Sequence, residues 1–309
     1  MGPRFFEKIL KMQRKPKIIV VLGQTATGKS AVAVELAKKF NGEIISADSR
    51  QIYKGLDIAT GKVTKKEMRG VSHHMLNVVS PKKSFSVAEW QEKTKKIISE
   101  IHSREKLPII CGGTGFYIQS IVKNVVLPEV PPNTKLRKKL ESKTAVEIVK
   151  VLQKLDQKIL KTIDRKNPTR LIRAIEIATE LGAVPKIKTE KPEYEILQIG
   201  LKLPEKILRK NIRDRVLSRV KAGIFAEAKK LHAGGLSLSR FRSLGLEYRL
   251  LADFLQKKIS RAEFAEQLEI ADWHYARRQW QWFKRDKNIR WFSPTAGKKI
   301  EKEVKNFLD

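Results

Sequence analysis

The chain has 309 residues, enough for one large domain or two modest ones with a sizeable core. Its 65 Lys and Arg against 33 Asp and Glu give a formal net charge of +32, and the hydrophobic fraction of 41% is that of an ordinary globular protein. No apolar run approaches the ~20 residues that span a bilayer, and Cys111, the only cysteine, excludes an internal disulfide and fits a reducing cytoplasm.

Residues 1–16 read as a short basic extension without the apolar centre or small-residue cleavage site of a secretory signal. From Lys17 to about Val126 strands and helices alternate, which predicts an α/β fold with a parallel sheet wrapped by helices. Ile18–Leu22 is a buried-strand run, and Gly23 to Ser30 spell G-x-x-x-x-G-K-S. A helix opened by Ser30 follows, with Val32, Leu36 and Phe40 at four-residue spacing and Ala33 and Ala37 beside them. Glu43–Ala47 is a second strand, ending at Asp48-Ser49. A helix from Phe85 to Ser103 starts at Ser84 or Ser86, and Leu107–Cys111 is a third strand that runs into Gly112-Gly113-Thr114-Gly115. Pro128, Pro131 and Pro132 break the pattern. Residues 134–182 are helical and strongly basic, and a second breaker region, Val184 to Glu193, precedes a strand at Ile196–Leu201. Helices are expected over 204–232, 245–257 and 260–285. The economical reading is one α/β core, 17–126 with 193–309, interrupted by a helical insertion at 127–192.

The G-x-x-x-x-G-K-S loop has a mechanism. Glycines at both ends let successive backbone N–H groups turn toward phosphate oxygens. Gly23, Gln24, Thr25, Ala26, Thr27, Gly28, Lys29 and Ser30 are therefore candidate ligands of a nucleotide or another diphosphate. Lys29 adds a charge, and the Ser30 hydroxyl is a candidate Mg²⁺ ligand. Phosphate-loop NTPases place an acid after a later strand to position Mg²⁺ and the attacking water. The strand Leu107–Cys111 ends in Gly-Gly-Thr instead, which weakens an ATPase or GTPase reading. The acid stands at Asp48, where it is either a general base facing the phosphate or a turn cap. Gly112 to Gly115 is either a second backbone-lined pocket or an ordinary strand-to-helix turn. His73-His74 alternate across an extended chain and are read as structural, not as metal ligands. Arg215, with Arg213 and Arg219 nearby, can neutralise a leaving group, though by spacing alone a solvated face explains it as well.

The charge favours a polyanionic partner, nucleic acid ahead of a lysine-rich solubility device or a membrane surface. Basic clusters stand at Arg137 to Lys139, Arg170 to Arg173 and Arg240 to Arg249. The helix with Trp273, Tyr275, Arg277, Arg278, Trp280 and Trp282 mixes cations with rings, a combination suited to phosphate contact and base stacking.

Together these residues resemble the tRNA dimethylallyltransferase (tRNA isopentenyltransferase) family. The resemblance rests on the phosphate loop, on Ile-Ser-Ala-Asp-Ser-Arg-Gln-Ile-Tyr-Lys-Gly-Leu-Asp-Ile-Ala-Thr-Gly-Lys, on Ser-His-His-Met-Leu and on Gly-Gly-Thr-Gly-Phe-Tyr. It continues through Asn-Pro-Thr-Arg-Leu-Ile-Arg-Ala-Ile-Glu and Tyr-Ala-Arg-Arg-Gln-Trp-Gln-Trp-Phe-Lys-Arg-Asp, in family order from about 17 to 292. The resemblance implies a phosphate-loop NTPase-like core and transfer of a dimethylallyl group from dimethylallyl diphosphate to N6 of adenosine 37. The tRNAs concerned read codons starting with U, and the reaction uses Mg²⁺. It also implies that Lys29 and Arg215 steady the diphosphate and that Asp48 is the general base. Asp48, Ser49, Arg50, Gln51, Thr114, Arg137, Thr169, Arg170, Leu171, Ile172 and Arg173 would contact the anticodon stem-loop, with Arg242 to Tyr248, and the insertion would grip the stem. The family's Gly-Tyr-Lys/Arg step is replaced here by Gly245-Leu246-Glu247-Tyr248-Arg249. A monomeric cytoplasmic enzyme without membrane attachment is expected. An ATP-dependent small-molecule kinase explains the loop and Asp48 but not the basic insertion. A non-catalytic RNA-binding protein leaves Lys29 and Asp48 idle.

Overall fold

A computed structural model of the chain describes residues 15–309; the expected basic extension over 1–16 falls outside them but for its last two residues. Strand β1 (Lys17–Gly23) is buried from its second residue onward, as a central parallel strand must be. Helix α1 (Lys29–Lys39), strand β2 (Gly42–Ala47), the single-turn helix α2 (Lys65–Met68) and strand β3 (His73–His74) follow. Next come helix α3 (Val87–Ser103), strand β4 (Leu107–Gly112) and helix α4 (Gly115–Val122). Ser86, not Ser84, opens α3: its side chain accepts from Glu89 N while the Glu89 side chain returns to the Ser86 backbone.

Residues Val125–Glu190 form a compact unit of their own. Its chain enters by β5 (Val125–Val126), passes through helices α5 (Thr134–Glu141), α6 (Ala145–Leu155) and α7 (Pro168–Leu181), and leaves by β6 (Lys188–Thr189), antiparallel to β5. Leu140, Ile148, Leu152, Leu171 and Ile175 build its core.

The other unit resumes with β7 (Glu195–Leu201), α8 (Glu205–Lys221), α9 (Ile224–Ala233), α10 (Leu238–Ser243), α11 (Leu246–Leu255), α12 (Arg261–Phe283), β8 (Ile289–Phe292) and α13 (Gly297–Leu308). The expected helix over 204–232 is two helices, parted at Gly223, whose φ of +99° a side-chain-bearing residue rarely adopts. Two edge elements of the core were not expected from the sequence. β3 has only two residues, and β8 (Ile-Arg-Trp-Phe) is too short to show a period.

The six strands are parallel, in the order β3-β2-β4-β1-β7-β8. Alternation along β1 sends Ile18, Val20 and Leu22 into a layer with Trp90, Tyr117 and Phe264, and Ile19 and Val21 into a layer with α1 and α13. Helix α1 buries Ala33, Val34, Leu36 and Ala37, while Val32 and Phe40 are only partly covered. The expected stripe is rotated because the two alanines let the helix lie close to the sheet. Trp90, fully buried, donates from its indole to Ser46 O at 3.1 Å and stacks on Tyr117 at 4.7 Å, tying α3 and α4 to β2. Among the described residues no helix is long and apolar enough to cross a membrane.

At the amino end of β2, buried Glu43 accepts hydrogen bonds from His74 Nε2 (2.7 Å), Arg104 Nη2 (2.7 Å) and Lys106 Nζ (2.9 Å). His73 Nδ1 lies 2.9 Å from Val71 O, so the two histidines serve separate structural contacts. Burial alone would raise the Glu43 carboxyl, but the bonds from His74 and Lys106 and the charges of Lys106 and Arg104 outweigh it and hold the pKa at about 2. The contribution is present above the ordinary carboxylate value and is lost as pH falls toward 2. Glu43→Gln is therefore expected to cost about 2 kcal/mol at pH 7. In urea melts the gap to wild type should narrow below pH 4.5 and close near pH 2; a gap independent of pH would contradict this account.

Candidate active site

The loop after β1 turns through two left-handed residues, Ala26 (φ +59°) and Gly28 (φ +83°), and Gly28 caps α1. Lys29 thus begins the helix and Ser30 is its second residue. The loop is braced from inside. Thr27 Oγ1 donates to Gln24 O at 2.8 Å, and Gln24 Nε2 donates to Ala276 O of α12 at 3.1 Å. Asn211 Nδ2 of α8 donates to Ala26 O at 3.2 Å, and Lys29 Nζ donates to Gln24 O. Gln24 and Thr27 are buried and bonded within the protein. Gly23 is pressed against β7, where a Cβ would stand 2.6 Å from Leu201 O. Of the eight residues of the motif, Thr25, Ala26, Gly28, Lys29 and Ser30 line a cavity of about 260 Å³ at the carboxyl ends of the strands.

Burial lowers the Lys29 pKa to about 8; Cys111 and Asp48 raise it and Arg215 lowers it further. The Cys111 thiol, buried beside it, is pushed up to about 11 and stays protonated.

Asp48 follows β2 into the same cavity. Its Oδ1 accepts from Arg50 N (2.8 Å) and Gln51 N (3.3 Å), while Oδ2 accepts from no described residue. One oxygen is the turn cap and the other is free for a ligand, so the two readings of Asp48 are compatible. Thr114, at the start of α4, makes no capping bond. Its Oγ1 accepts from Ser49 N at 3.0 Å, and its own N–H donates to Ala47 O at 3.1 Å. The glycine turn after β4 thereby holds the segment that carries Asp48.

Arg215 is not on a solvated face. It lines the cavity and donates from Nη2 to Thr60 O (3.2 Å) and Gly61 O (3.3 Å). One turn on, buried Arg219 donates to Ala59 O at 2.9 Å and pairs with buried Asp272. The N–H groups of the same loop, at Asp57, Ile58 and Ala59, all donate to the carboxylate of Glu227 (3.0, 2.6 and 3.1 Å), which also accepts from Tyr248 OH at 3.1 Å. Arg219 entered the sequence reasoning only as a neighbour of Arg215, and Glu227, Asp272 and Gln279 escaped it. A signal existed for the last two: Leu268, Asp272, Ala276 and Gln279 share the buried face of α12, where polar residues interrupt an apolar stripe.

Other expected site residues are dispersed. Gln51 lines the cavity and reaches Gly61 O at 3.4 Å. The Arg50 guanidinium packs on Gly245, where a Cβ would meet its Nε at 2.9 Å. Arg242 is held by Asp253 (2.6 Å) and Gln256 (2.8 Å). Leu244 and Tyr248 are fully buried and cannot offer side chains to RNA. In the insertion, Thr169 and Arg170 are exposed, but Leu171 and Ile172 are core residues, a correction to their expected contact role. Arg137 and Arg173 converge on buried Glu176, with Arg137 Nε at 2.6 Å and Arg173 Nη1 at 3.1 Å. The rings of α12 are largely used within the protein. Trp280 packs edge-on against Trp291 at 4.9 Å, and Arg209 stands 3.9 Å over Trp273. Among the described residues no three His, Cys, Asp or Glu are grouped as a metal cage.

A six-stranded parallel sheet flanked by helices, with a glycine-lysine loop at its carboxyl edge, defines an α/β protein whose ligand site lies beyond the strand ends. The model of the IPP transferase family matches residues 51–286. The chain is 43% identical over 291 residues to tRNA dimethylallyltransferase 2 of Treponema denticola, covering 91% of this chain and 97% of the relative. It is 38% identical over 306 residues to the tRNA dimethylallyltransferase of Bacillus mycoides, covering 96% and 95%. Among solved structures it resembles a tRNA isopentenylpyrophosphate transferase from Bacillus halodurans, with a TM-score of 0.69, 32% identity and coverage of 95% and 97%. It also resembles a eukaryotic dimethylallyltransferase acting on tRNA, with a TM-score of 0.70, 27% identity and coverage of 86% and 69%. The chain belongs to the IPP transferase family.

Because Lys29 loses its proton near pH 8 in the free protein, an anion that needs the ammonium must bind with proton uptake above that pH. The ratio of wild-type to Lys29→Met affinity for inorganic diphosphate, measured by calorimetry, is expected to be flat below pH 8 and to fall by up to about tenfold per pH unit above it. A ratio constant from pH 6 to 10 would contradict the assignment.

Proposed function

We propose that this protein transfers the dimethylallyl group of dimethylallyl diphosphate to N6 of adenosine 37 in tRNAs that read codons starting with U. The products are N6-(dimethylallyl)adenosine and diphosphate. The observation that carries the reading is the single cavity that joins the phosphate loop, Arg215 and the free oxygen of Asp48, with no acid after β4 to activate water. The relatives' activity on tRNA and the charge of +32 support the acceptor.

The diphosphate lies on the N–H groups around Gly28 and Lys29 at the start of α1, where the helix dipole favours an anion. N6 attacks the allylic C1 as the C1–O bond breaks, and the bonding pair leaves on the diphosphate. Lys29 and Arg215 neutralise that charge as it develops. Asp48 accepts the N6 proton, which restores a neutral amine. The amine is out of reach while the base is stacked in the anticodon loop, so the base must be turned out toward the cavity. In the insertion, exposed Thr169 and Arg170, with Lys138 and Lys139, supply groups suited to backbone phosphates.

Mg²⁺ fits this donor set as an ion held mainly by substrate oxygens and water, since the cavity is lined by Ser30, Ser46, Asp48 and Glu67 and the described residues form no three-residue cage. Ser30 and Asp48 are the residues that would hold it, and it would supply further neutralisation of the leaving diphosphate. A tRNA acceptor supports a reaction in the cytoplasm, and the enzyme is proposed to act as a monomer.

Incubation with tRNA, Mg²⁺ and either labelled dimethylallyl diphosphate or γ-labelled ATP tests the reading. Label is expected in tRNA from the prenyl donor only; phosphate moved from ATP with no prenyl incorporation would overturn it. Asp48→Ala should lower kcat by at least about 100-fold while tRNA affinity in filter binding is unchanged. Arg215→Ala should raise the KM for the prenyl donor at least about tenfold and that for tRNA less than threefold. The reverse pattern would remove Arg215 from the diphosphate site.

A further inference from the structure

The two halves of the cavity are far apart in sequence and meet through one side chain. Gln279, on the buried face of α12, is 5% exposed and lines the cavity. Its Oε1 accepts the N–H of Thr25 in the phosphate loop at 2.7 Å. Its Nε2 donates to Gly113 O, in the turn after β4, at 3.0 Å. The next residue, Thr114, accepts from Ser49 N at 3.0 Å, and Ser49 adjoins Asp48. A continuous path therefore runs from the loop that takes the leaving group to the carboxylate that faces the nucleophile. The side chain in the middle of it must both accept and donate, because Thr25 N–H can only donate and Gly113 C=O can only accept, and the Gln279 amide does both at once. A Cβ on Gly113 would stand 2.1 Å from the amide nitrogen, so the glycine is shaped to this partner. The Thr25 N–H is also withdrawn from the loop's phosphate-binding set: its job is to be held, not to hold the ligand.

We propose that Gln279 is a positioning residue that sets the distance between the diphosphate loop and Asp48, and through it the rate of the chemical step. This rests on the transfer reaction proposed above. Substitution reactions of this kind need nucleophile, carbon and leaving group aligned within a few tenths of an ångström, and a 1 Å misplacement costs roughly 100-fold. The anion-binding groups at the start of α1 do not pass through the bridge, and of the expected RNA contacts only Asp48, Ser49 and Thr114 lie along it, so most of each substrate's binding surface is untouched by its loss. The bridge therefore acts mainly on kcat and little on either KM.

The test is steady-state and single-turnover prenyl transfer by wild type, Gln279→Met, Gln279→Ala, Gly113→Ala and the Gln279→Ala/Gly113→Ala double variant, with thermal melts of each. Gln279→Met keeps the volume and removes both bonds. It is expected to lower kcat by roughly 100-fold with both KM values within about threefold. Gly113→Ala should reproduce that loss by displacing the amide. In the Gln279→Ala background, where the clash is absent, it should add less than about threefold, so the two losses do not add. If Gln279→Met does not fold, the cycle between Gly113→Ala and Gln279→Ala decides alone. Additive losses, or a Gln279→Met variant that keeps kcat or loses it only with a raised donor KM, overturn the positioning role while leaving the proposed function intact. A wild-type protein that transfers no prenyl label overturns both.

Discussion

A parallel sheet covered on both faces leaves no place for polar chemistry except beyond the ends of its strands. Here β1, β2 and β4 are buried almost throughout, with two apolar layers filling the space above and below. The sheet's own contribution to a charged ligand is gathered at one edge: the loop after β1, Asp48 after β2 and the glycine turn after β4. The order of the strands does the gathering. β4 lies between β1 and β2, so the residues after three strands separated by long stretches of sequence become neighbours.

The edge needs a second framework to become a site, and the helices after β7 provide it. Helix α8 contributes Arg215 and Arg219, α9 contributes Glu227, and α12 contributes Asp272 and Gln279. Each grips backbone of the sheet's loops with charged or amide groups. A buried guanidinium–carboxylate pair such as Arg219–Asp272 adds little net stability by itself. Its value is directional, because a guanidinium fixed by a buried carboxylate gives the loop one geometry. The insertion repeats the device: Glu176 holds Arg137 and Arg173 in a set orientation.

Local features were legible in the residues. The β1 run, the glycine-lysine loop, the opening of α3 at Ser84 or Ser86 and the proline borders of the insertion each have a short-range cause. Asp48 could be singled out because it ends an apolar strand. Arg215 is singled out by the family resemblance and not by its spacing, since a cation on a helix between Asp214 and Val216 looks like any solvated charge. Only the approach of the Thr60–Gly61 carbonyls makes it a cavity residue. Gln279 and Thr25 are 254 positions apart, and no local rule joins them. The aromatic residues of α12 divide in a way their composition does not show: Trp280 packs on Trp291 and Trp273 lies under Arg209, while Trp282 is exposed.

The paired strands β5 and β6 have a consequence for how such a chain evolves. Val125 stands opposite Thr189, and immediately outside them Asn124 Nδ2 donates to Lys191 O at 3.1 Å. The insertion thus leaves and rejoins its host at one point, so for the host it is a hairpin whose tip happens to be 60-odd residues long. Loop-closure entropy grows only with the logarithm of length. Shortening, lengthening or exchanging this module between relatives costs the host fold little, and the insertion is free to diversify while the sheet edge stays as it is.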